Sequence, residues 1–373
     1  MNEAVISKKR KIIYIAMASV LFAVVLGLTA FVVQQVIAAQ EWVNLSRDVD
    51  HRMKKPKFTD INSDGIRSPR EASEIKPDDF NIIFLGDSFI HGFILQYKLA
   101  PPKQLEEIAR EYFKTDKINV WNFGWTTSSP VLEYRLLKDL GEKYHPNLVI
   151  LSVDMTDYRD DYFYSHMISG EGFYKYVKRY PRSTYIFKQL LTYVDRYTGT
   201  DWHKYFFGYS GQYGYFAAME PMEQNRILFE TTYDTLNQIN AYCRDVLKVP
   251  FVVFIPPRHW QYTDKESLHT WEKGSFETMG PYALENFRYF DEKRPMTPYP
   301  LISLLDDFKN SNVFPTTFDK DSHWNQHGAQ LDAQAVFNHV LSLGYFSALK
   351  RSALNPSTQG PLPYATTSVD KRH

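Results

Sequence analysis

Residues 81–89 read Asn81-Ile82-Ile83-Phe84-Leu85-Gly86-Asp87-Ser88-Phe89, and the interpretation of the chain starts from them. An apolar run of this length, rich in β-branched and aromatic residues and closed by glycine, predicts a buried parallel strand. Ser88 would then follow the carboxyl end of that strand, where open α/β sheets bind ligands and carry out chemistry. Asp and Ser also favour the N-cap of a helix. The pair Asp87-Ser88 therefore has two interpretations, a nucleophile and a plain helix cap.

Similar apolar runs recur along the chain and alternate with amphipathic stretches. Further strands are predicted at 118–122, 147–151 and 251–255, and helices from about 101 onward, at 130–143 and at 226–248. Alternation at this spacing predicts an α/β domain, in which a parallel sheet carries helices on both faces.

The N-terminal region contains one segment long enough to span a bilayer. Residues 12–39 carry no charge, whereas residues 1–11 end in a cluster of Lys and Arg. The positive-inside rule therefore predicts a single-pass helix in the inner membrane, with a cytoplasmic N-terminus and a periplasmic domain. A cleaved signal peptide is the alternative, although this apolar segment is much longer than a usual signal-peptide core.

The composition argues against several other classes of protein. Lys and Arg together number 43, as do Asp and Glu, so the net charge is zero and gives no electrostatic case for nucleic-acid binding. The single cysteine, Cys243, excludes an internal disulfide framework and a cysteine-based metal site. Its position in a helical apolar pattern predicts a core residue rather than a reactive thiol.

The remaining segments suggest how the chain is divided. Residues 40–75 are polar and interrupted by proline, which predicts a linker or edge segment before a domain at 76–345. Within that domain, residues 158–222 break the alternation and are rich in aromatic residues, so we expect an insertion. Its rings either form a small satellite core or contact sugars or a membrane interface. The polar tail at 346–373 is predicted to be disordered.

Part of the linker also fits a calcium-binding pattern. The residues with the spacing of an EF-hand loop are Asp60, Asn62, Asp64, Gly65 and Glu71. Arg67 stands where such loops usually carry an aliphatic residue, and the preceding Lys55-Pro56-Lys57 is a poor end for an entering helix. A plain turn at 63–65 is the alternative, and we expect neither a metal nor another cofactor.

A second polar cluster lies near the C-terminus, where residues 319–328 read Asp-Lys-Asp-Ser-His-Trp-Asn-Gln-His-Gly. A serine nucleophile needs a base, and the base needs an acceptor that orients it. Asp321 and His323, two residues apart, can supply both. His323 and His327, four residues apart with carboxylates nearby, can equally bind a metal.

Taken together, these motifs resemble those of the SGNH (GDSL-type) hydrolase superfamily, in a bacterial, membrane-anchored subset. The corresponding blocks here are Gly86-Asp87-Ser88, Asn122-Phe123-Gly124, the region 154–157, and Asp321-Ser322-His323-Trp324-Asn325 with Gly328. The segment 61–67 also recurs in a bacterial subset of that family. The resemblance covers residues 58–345 and implies a three-layer, flavodoxin-like fold.

The resemblance also implies roles for individual residues. Ser88 would attack an ester, His323 would be the general base and then acid, and Asp321 would orient His323. The oxyanion hole would use the backbone N–H groups of Ser88 and Gly124 and a side chain of the third block. There the family usually carries Asn, whereas this chain has Thr156. Additional candidates for substrate binding are Asp87, Asn122, Arg258, His259 and Trp324.

The predicted function is an extracytoplasmic serine ester hydrolase that removes or transfers acetyl groups on a glycan of the cell envelope. The Asp-x-His spacing, with Trp and Asn after the His, resembles a subset associated with O-acetylation of extracellular polysaccharides. A non-catalytic glycan-binding protein and a lipid esterase at the membrane surface are the alternatives. The expected partners are the membrane and the ester substrate, and the sequence does not identify a protein partner.

Overall fold

The computed structural model describes residues 8–39, 60–170, 190–191, 193–195, 197–200, 202–207, 221–263, 281–319, 321–347 and 349. Most of the predicted aromatic insertion and nearly all of the predicted disordered tail lie outside these residues, as do residues 40–59 of the predicted linker.

A long N-terminal helix, α1 (Lys8–Ala39), includes the predicted membrane segment. Within it, Arg10–Val32 is long and apolar enough to cross a bilayer, and none of it is buried against the rest of the protein. A helix whose exposed side chains are nearly all apolar is unfavourable in water and favourable in hydrocarbon. The helix is therefore compatible with a single membrane crossing.

The predicted α/β class is confirmed, and a parallel sheet forms its centre. The strands are β1 (Phe80–Gly86), β2 (Ile118–Gly124), β3 (Leu148–Ser152), β4 (Phe251–Ile255), β5 (Leu301–Ser303), β6 (Thr317–Phe318) and β7 (Asp321–Trp324). The first five form one sheet in the order β2-β1-β3-β4-β5, with every neighbouring pair parallel. This order is that of flavodoxin-like sheets. The last two strands form a separate antiparallel pair.

Helices surround the sheet. They are α2 (Ser88–His91), α3 (Pro101–Phe113), α4 (Pro130–Leu140), α5 (Asp157–Ser169), α6 (Trp202–Phe207), α7 (Met222–Tyr242), α8 (His259–Tyr262), α9 (Glu285–Lys293), α10 (Leu305–Lys309) and α11 (Gln326–Ser342). Short 3₁₀ turns occupy Ala72–Glu74, Tyr97–Leu99, Gly141–Tyr144 and Arg294–Met296, and a π turn occupies Cys243–Leu247. Both α3 and α4 begin with proline, whose fixed φ and missing N–H suit a first helical turn. The predicted helix at 226–248 is α7 followed by the π turn.

Strand β1 shows why the sheet is covered on both faces. All its residues are buried. Because successive side chains of a strand point to opposite faces, Ile83 and Leu85 join one apolar core, and Ile82 and Phe84 join the other. Helices α4, α5 and α7 contribute to the first core, and α3 and α11 contribute to the second. A strand in such a position has to be a continuous apolar run, as the sequence is.

Residues 60–75 contact the domain through a buried arginine. Arg67 is 3 % exposed, pairs with Asp60 at 3.2 Å, and forms a bridge with β2. Glu71 accepts hydrogen bonds from the backbone and side chain of Ser63, and Gly65 adopts a positive φ of 79°. The segment forms a turn here, with Asp60 and Glu71, the first and last of the suggested calcium ligands, paired to protein groups.

Candidate active site

The turn from β1 into α2 contains Asp87 and Ser88, the pair with two interpretations. Asp87 is the N-cap of α2, because its carboxylate accepts the backbone N–H of Phe89 at 2.8 Å. Ser88 is the first residue of that helix and is half-buried. A Cβ at Gly86 would lie 2.4 Å from the Ile90 side chain, so glycine allows the chain to turn sharply into α2. The cap carboxylate and the Ser88 hydroxyl belong to the same turn.

The structure brings the three predicted catalytic side chains together. The distance between Ser88 Oγ and His323 Nε2 is 2.7 Å. His323 Nδ1 is hydrogen-bonded to Asp321 Oδ1, which also accepts the backbone N–H of His323 at 2.9 Å. With Nδ1 protonated, the ring donates to the carboxylate and its Nε2 accepts the serine proton. The arrangement can therefore generate a serine nucleophile.

The antiparallel pair β6–β7 places Asp321 and His323 opposite Ser88. Asp321 pairs with Phe318 and Trp324 pairs with Thr317 in this ladder. Trp324 is buried, with its ring edge-on to Phe89 at 4.9 Å. This buried ring fixes the end of β7. Trp324, a candidate for substrate binding, is thus a packing residue in this arrangement.

The chain after β7 is also fixed by hydrogen bonds. Asn325 caps α11 by accepting the backbone N–H groups of His327 and Gly328, and its own N–H donates to Thr316. A Cβ at Gly328 would lie 2.3 Å from the Thr316 carbonyl oxygen, so only glycine fits this close approach. The motif residues after His323 therefore hold the ladder and the helix together.

The His323 ring has aromatic neighbours. Phe89 stacks on it with a centroid distance of 4.8 Å and an interplanar angle of 29°, and Phe93 lies 5.9 Å away. Aromatic contacts of this kind restrict the orientation of the imidazole. Sequence analysis did not identify Phe89 as part of the site, although its place directly after Ser88 is a usable signal.

The carboxylates around the triad differ in their electrostatics. The hydrogen bond from His323 holds the pKa of Asp321 below its ordinary value, which keeps it an acceptor. Burial, followed by the negative charge of Asp154, raises the pKa of Asp87 to about 7. Near neutral pH Asp321 is therefore ionised, whereas Asp87 is only partly ionised.

Two of the three predicted oxyanion donors are already hydrogen-bonded within the protein. Gly124 N–H donates to Asn122 Oδ1 at 3.0 Å. Both the hydroxyl and the backbone N–H of Thr156 donate to Asp154 Oδ2, at 2.7 and 2.9 Å. Ser88 N–H is the first of a helix, and such N–H groups have no acceptor within the helix. Of the three predicted donors, the N–H of Ser88 is therefore the best disposed toward an oxyanion.

Asp154 is held by an arginine from the other side of the site. Arg258 donates to Asp154 Oδ1 at 2.8 Å through Nε and to Oδ2 at 2.7 Å through Nη2. Both side chains are buried. Burial opposes the ionisation of Asp154, but the charge and hydrogen bonds of Arg258 outweigh it and keep the pKa of Asp154 below its ordinary value.

The other candidates for substrate binding are buried. The side chain of Asn122 donates to the carbonyls of Ile90 and His91, so it fixes the end of α2. His259 is 2 % exposed, and burial, helped by the charge of Arg258, lowers its pKa to about 3. Asn122 therefore supports the site from within the domain, and His259 is a buried imidazole that is neutral at pH 7.

Arg67 braces the loop that follows Ser88. Its guanidinium donates to the carbonyls of His91, Gly92 and Leu95. In the sequence, Arg67 stands out as a departure from the calcium-loop pattern and as part of the segment 61–67 in which the family resemblance lies, and neither observation predicts these contacts. A lone arginine upstream of the first strand gives no pattern from which these three contacts could be derived.

The alternative of a metal at the histidine cluster finds no geometric support in the described residues. Both ring nitrogens of His323 are engaged, one by Ser88 and one by Asp321. Among the described residues, no group of three or more His, Cys, Asp or Glu side chains is arranged to hold a metal ion. The contacts of His323 are those of a hydrogen-bonded Ser–His–Asp set rather than of a metal ligand.

No protein-family model and no curated protein matches the chain. Solved structures to which it is similar include a catalytic mutant of an acetylxylan esterase from Geobacillus stearothermophilus, at 12% identity and a TM-score of 0.37, covering 71% of this chain and 96% of that one. The psychrotrophic esterase EstA from Pseudoalteromonas sp. is similar at 14% identity and a TM-score of 0.37, covering 71% and 98%. A member of the lipolytic protein G-D-S-L family from Veillonella parvula is similar at 12% identity and a TM-score of 0.36, covering 69% and 97%. All three TM-scores lie below 0.5, so the fold class and the proposed activity rest on this chain's own sheet order and side chains.

Proposed function

We propose that the chain is a serine ester hydrolase of the SGNH type, with Ser88 as nucleophile, His323 as general base and acid, and Asp321 as the residue that orients His323. The observation that carries the proposal is the continuous set of hydrogen bonds from Ser88 Oγ through His323 to Asp321. This arrangement comes from segments 235 residues apart in the sequence. Ser88 lies just after the carboxyl end of β1, at the edge of the sheet where α/β proteins carry out chemistry.

The reaction would proceed in two displacement steps. Ser88 Oγ attacks the ester carbonyl carbon while His323 Nε2 takes its proton, and the carbonyl oxygen becomes an oxyanion near the N–H of Ser88. The tetrahedral intermediate expels the alcohol, which receives the proton from His323, and leaves an acyl-serine. Water or a sugar hydroxyl then attacks the acyl group by the same route and regenerates Ser88. Water gives hydrolysis and a sugar hydroxyl gives acyl transfer.

We further propose that the acyl group is acetyl and that the substrate is a glycan of the cell envelope. Several exposed aromatic side chains support a glycan, because aromatic rings stack on sugar faces. They are Tyr193, Tyr197, Trp202 and Tyr205. The resemblance of the Asp321-x-His323 block to the polysaccharide O-acetylation subset supports the same substrate class. The same exposed rings and α1 also suit a lipid ester, which is the second candidate.

The proposed location is the inner membrane, with α1 as a single-pass anchor and the esterase domain in the periplasm. The cluster of basic residues that forms the first turn of α1, Lys8, Lys9, Arg10 and Lys11, supports this orientation. A protease added to spheroplasts should digest the domain, whereas inverted membrane vesicles should protect it. The reverse pattern would overturn the orientation.

The esterase proposal is tested with the full chain solubilised in detergent. Wild type should release p-nitrophenol from p-nitrophenyl acetate and should be labelled by a fluorophosphonate. Ser88→Ala should lose both, while Ser342→Ala, which removes an exposed hydroxyl at the end of α11, should keep both. Equal activity of wild type and Ser88→Ala would overturn the proposal.

The choice of substrate is tested with acyl chains of different length and with an acetylated polysaccharide. Turnover confined to long chains would favour the lipid ester. Acetate release from the polysaccharide measures hydrolysis, and incorporation of labelled acetyl into a deacetylated glycan measures transfer. If neither reaction occurs while p-nitrophenyl acetate is hydrolysed, the glycan part of the proposal is wrong.

A further inference from the structure

We infer that Arg258 is a positioning residue of the proposed esterase, because its guanidinium joins the chain after β3 to the strand that carries Asp321 and His323 and contacts the ring next to Ser88. The inference rests on the proposed function and adds a residue to it. Arg258 lies after β4, so its contacts span the carboxyl ends of several neighbouring elements. Three of these contacts, with Asp154, Ser322 and Phe89, bear on the geometry of the site.

The first contact is the buried pair with Asp154. Two parallel hydrogen bonds, at 2.8 and 2.7 Å, match the fork of a guanidinium to both oxygens of a carboxylate. Asp154 in turn accepts both donors of Thr156. Arg258 therefore fixes the loop in which the family's third oxyanion donor would stand.

The second contact reaches β7. Arg258 Nη1 donates to Ser322 Oγ at 3.3 Å. Ser322 stands between Asp321 and His323, whose hydrogen bond sets the imidazole orientation. Movement of Arg258 would therefore be transmitted to the base through one residue of an extended strand.

The third contact reaches the nucleophile turn. Arg258 Cζ lies 4.3 Å from the centroid of the Phe89 ring, a cation–π distance. The same ring stacks on His323 at 4.8 Å and directly follows Ser88 in the sequence. One cation thus contacts residues adjoining both members of the 2.7 Å pair between Ser88 and His323.

An alternative explanation is that Arg258 only neutralises Asp154. A buried ion pair adds little net stability, but loss of one partner leaves the other charge buried and unpaired. Arg258→Met would therefore destabilise the fold under either explanation. A double variant separates the two explanations. In Arg258→Met/Asp154→Asn no charge is stranded, whereas the contacts to Ser322 and Phe89 are still missing.

The experiment measures kcat, KM, the rate of fluorophosphonate labelling and the melting temperature of the solubilised full chain. Arg258→Met should lower kcat and the labelling rate about 10²-fold, the size expected for a misplacement of about 1 Å, with KM within about threefold. Arg258→Met/Asp154→Asn should recover the melting temperature without recovering kcat. Arg258→Lys should recover kcat only in part, since an ammonium lacks the planar fork. The matched control Arg244→Met removes an exposed arginine paired with Asp245 and should match wild type.

Three outcomes would be decisive. If the double variant regains both stability and kcat, Arg258 only neutralises Asp154 and the inference is wrong. If Ser88→Ala is inactive but Arg258→Met keeps the wild-type kcat, the inference fails while the proposed function stands. If Ser88→Ala is itself as active as wild type, the proposed function fails first.

Discussion

Substitution of Gly124 by alanine should test the close approach of β2 to α2, the short helix that begins with Ser88. A Cβ at this position would lie 2.4 Å from the backbone N of His91 and 2.8 Å from the backbone C of Ile90. Ordinary Cβ contacts begin near 3.4 Å. Because both neighbours are backbone atoms of α2, no side chain can rotate away, and the helix itself has to move by about 1 Å.

That movement can be converted into an expected loss of activity. Ser88 is the first residue of α2, and its Oγ lies 2.7 Å from His323 Nε2, so a displacement of about 1 Å breaks this contact. Misplacement of that size costs about 10²-fold in rate, and overpacking of a core typically costs about 1–3 kcal/mol of stability. We therefore expect Gly124→Ala to lose about 10²-fold in kcat and to melt at a lower temperature.

The assay is the hydrolysis of p-nitrophenyl acetate, together with thermal unfolding followed by circular dichroism. Gly141→Ala is the matched control, because a Cβ there meets the end of the flexible Leu137 side chain at 3.0 Å and Gly141 has helical φ and ψ. It should retain kcat. If Gly124→Ala retained wild-type kcat and melting temperature, the argument from backbone contact would be refuted.

Three further predictions concern individual carboxylates and Thr156. Asp321→Asn should lower kcat about 10²–10⁴-fold without a matching change in KM, since the acceptor that orients His323 is weakened; a loss below tenfold would contradict this. Thr156→Val should lower kcat less than tenfold, because its hydroxyl donates to Asp154, whereas removal of a true oxyanion donor typically costs about 10²–10³-fold. Burial raises the pKa of Asp161 to about 7. Between about pH 4 and 7 the folded protein therefore keeps a proton that the unfolded chain releases, so the free energy of unfolding falls as the pH rises. Asp161→Asn should flatten this fall, measured as the melting temperature at pH 5 and pH 8, and an unchanged slope would contradict it.

The sheet, and the proximity of Ser88, His323 and Asp321, could be predicted from the sequence because their signals are local. A buried central strand has to be a continuous apolar run, and the residues after it have to turn, so residues 81–89 contain both features. Asp321 and His323 are separated by one residue, and the short strand β7 presents both toward Ser88. Whether Asp87-Ser88 was a cap or a nucleophile could not be decided locally, and in the structure Asp87 caps the helix that begins with Ser88.

The contacts that were not predicted join distant parts of the chain. Arg258 and Asp154 are 104 residues apart, and neither stands in a spacing that indicates the other. Thr156 donates its hydrogen bonds to Asp154, the carboxylate of this pair. From the sequence we predicted that Thr156 replaces the usual Asn, but not that Asp154 accepts its hydrogen bonds. Such tertiary partners follow only from the way in which β3 and β4 end side by side.

Arg67 has a practical consequence for anyone who shortens this chain to a soluble fragment. It precedes β1, yet it donates to the carbonyls of His91, Gly92 and Leu95 in the segment after Ser88. A fragment beginning at residue 76 would remove this donor. The His91 carbonyl would keep its bond from Asn122 and the Gly92 carbonyl its bond from Leu95 N–H, whereas the Leu95 carbonyl would lose the donor that Arg67 supplies, and an unsatisfied buried acceptor costs about 1–3 kcal/mol. The cut should therefore fall before Asp60, which keeps both Arg67 and its ionic partner.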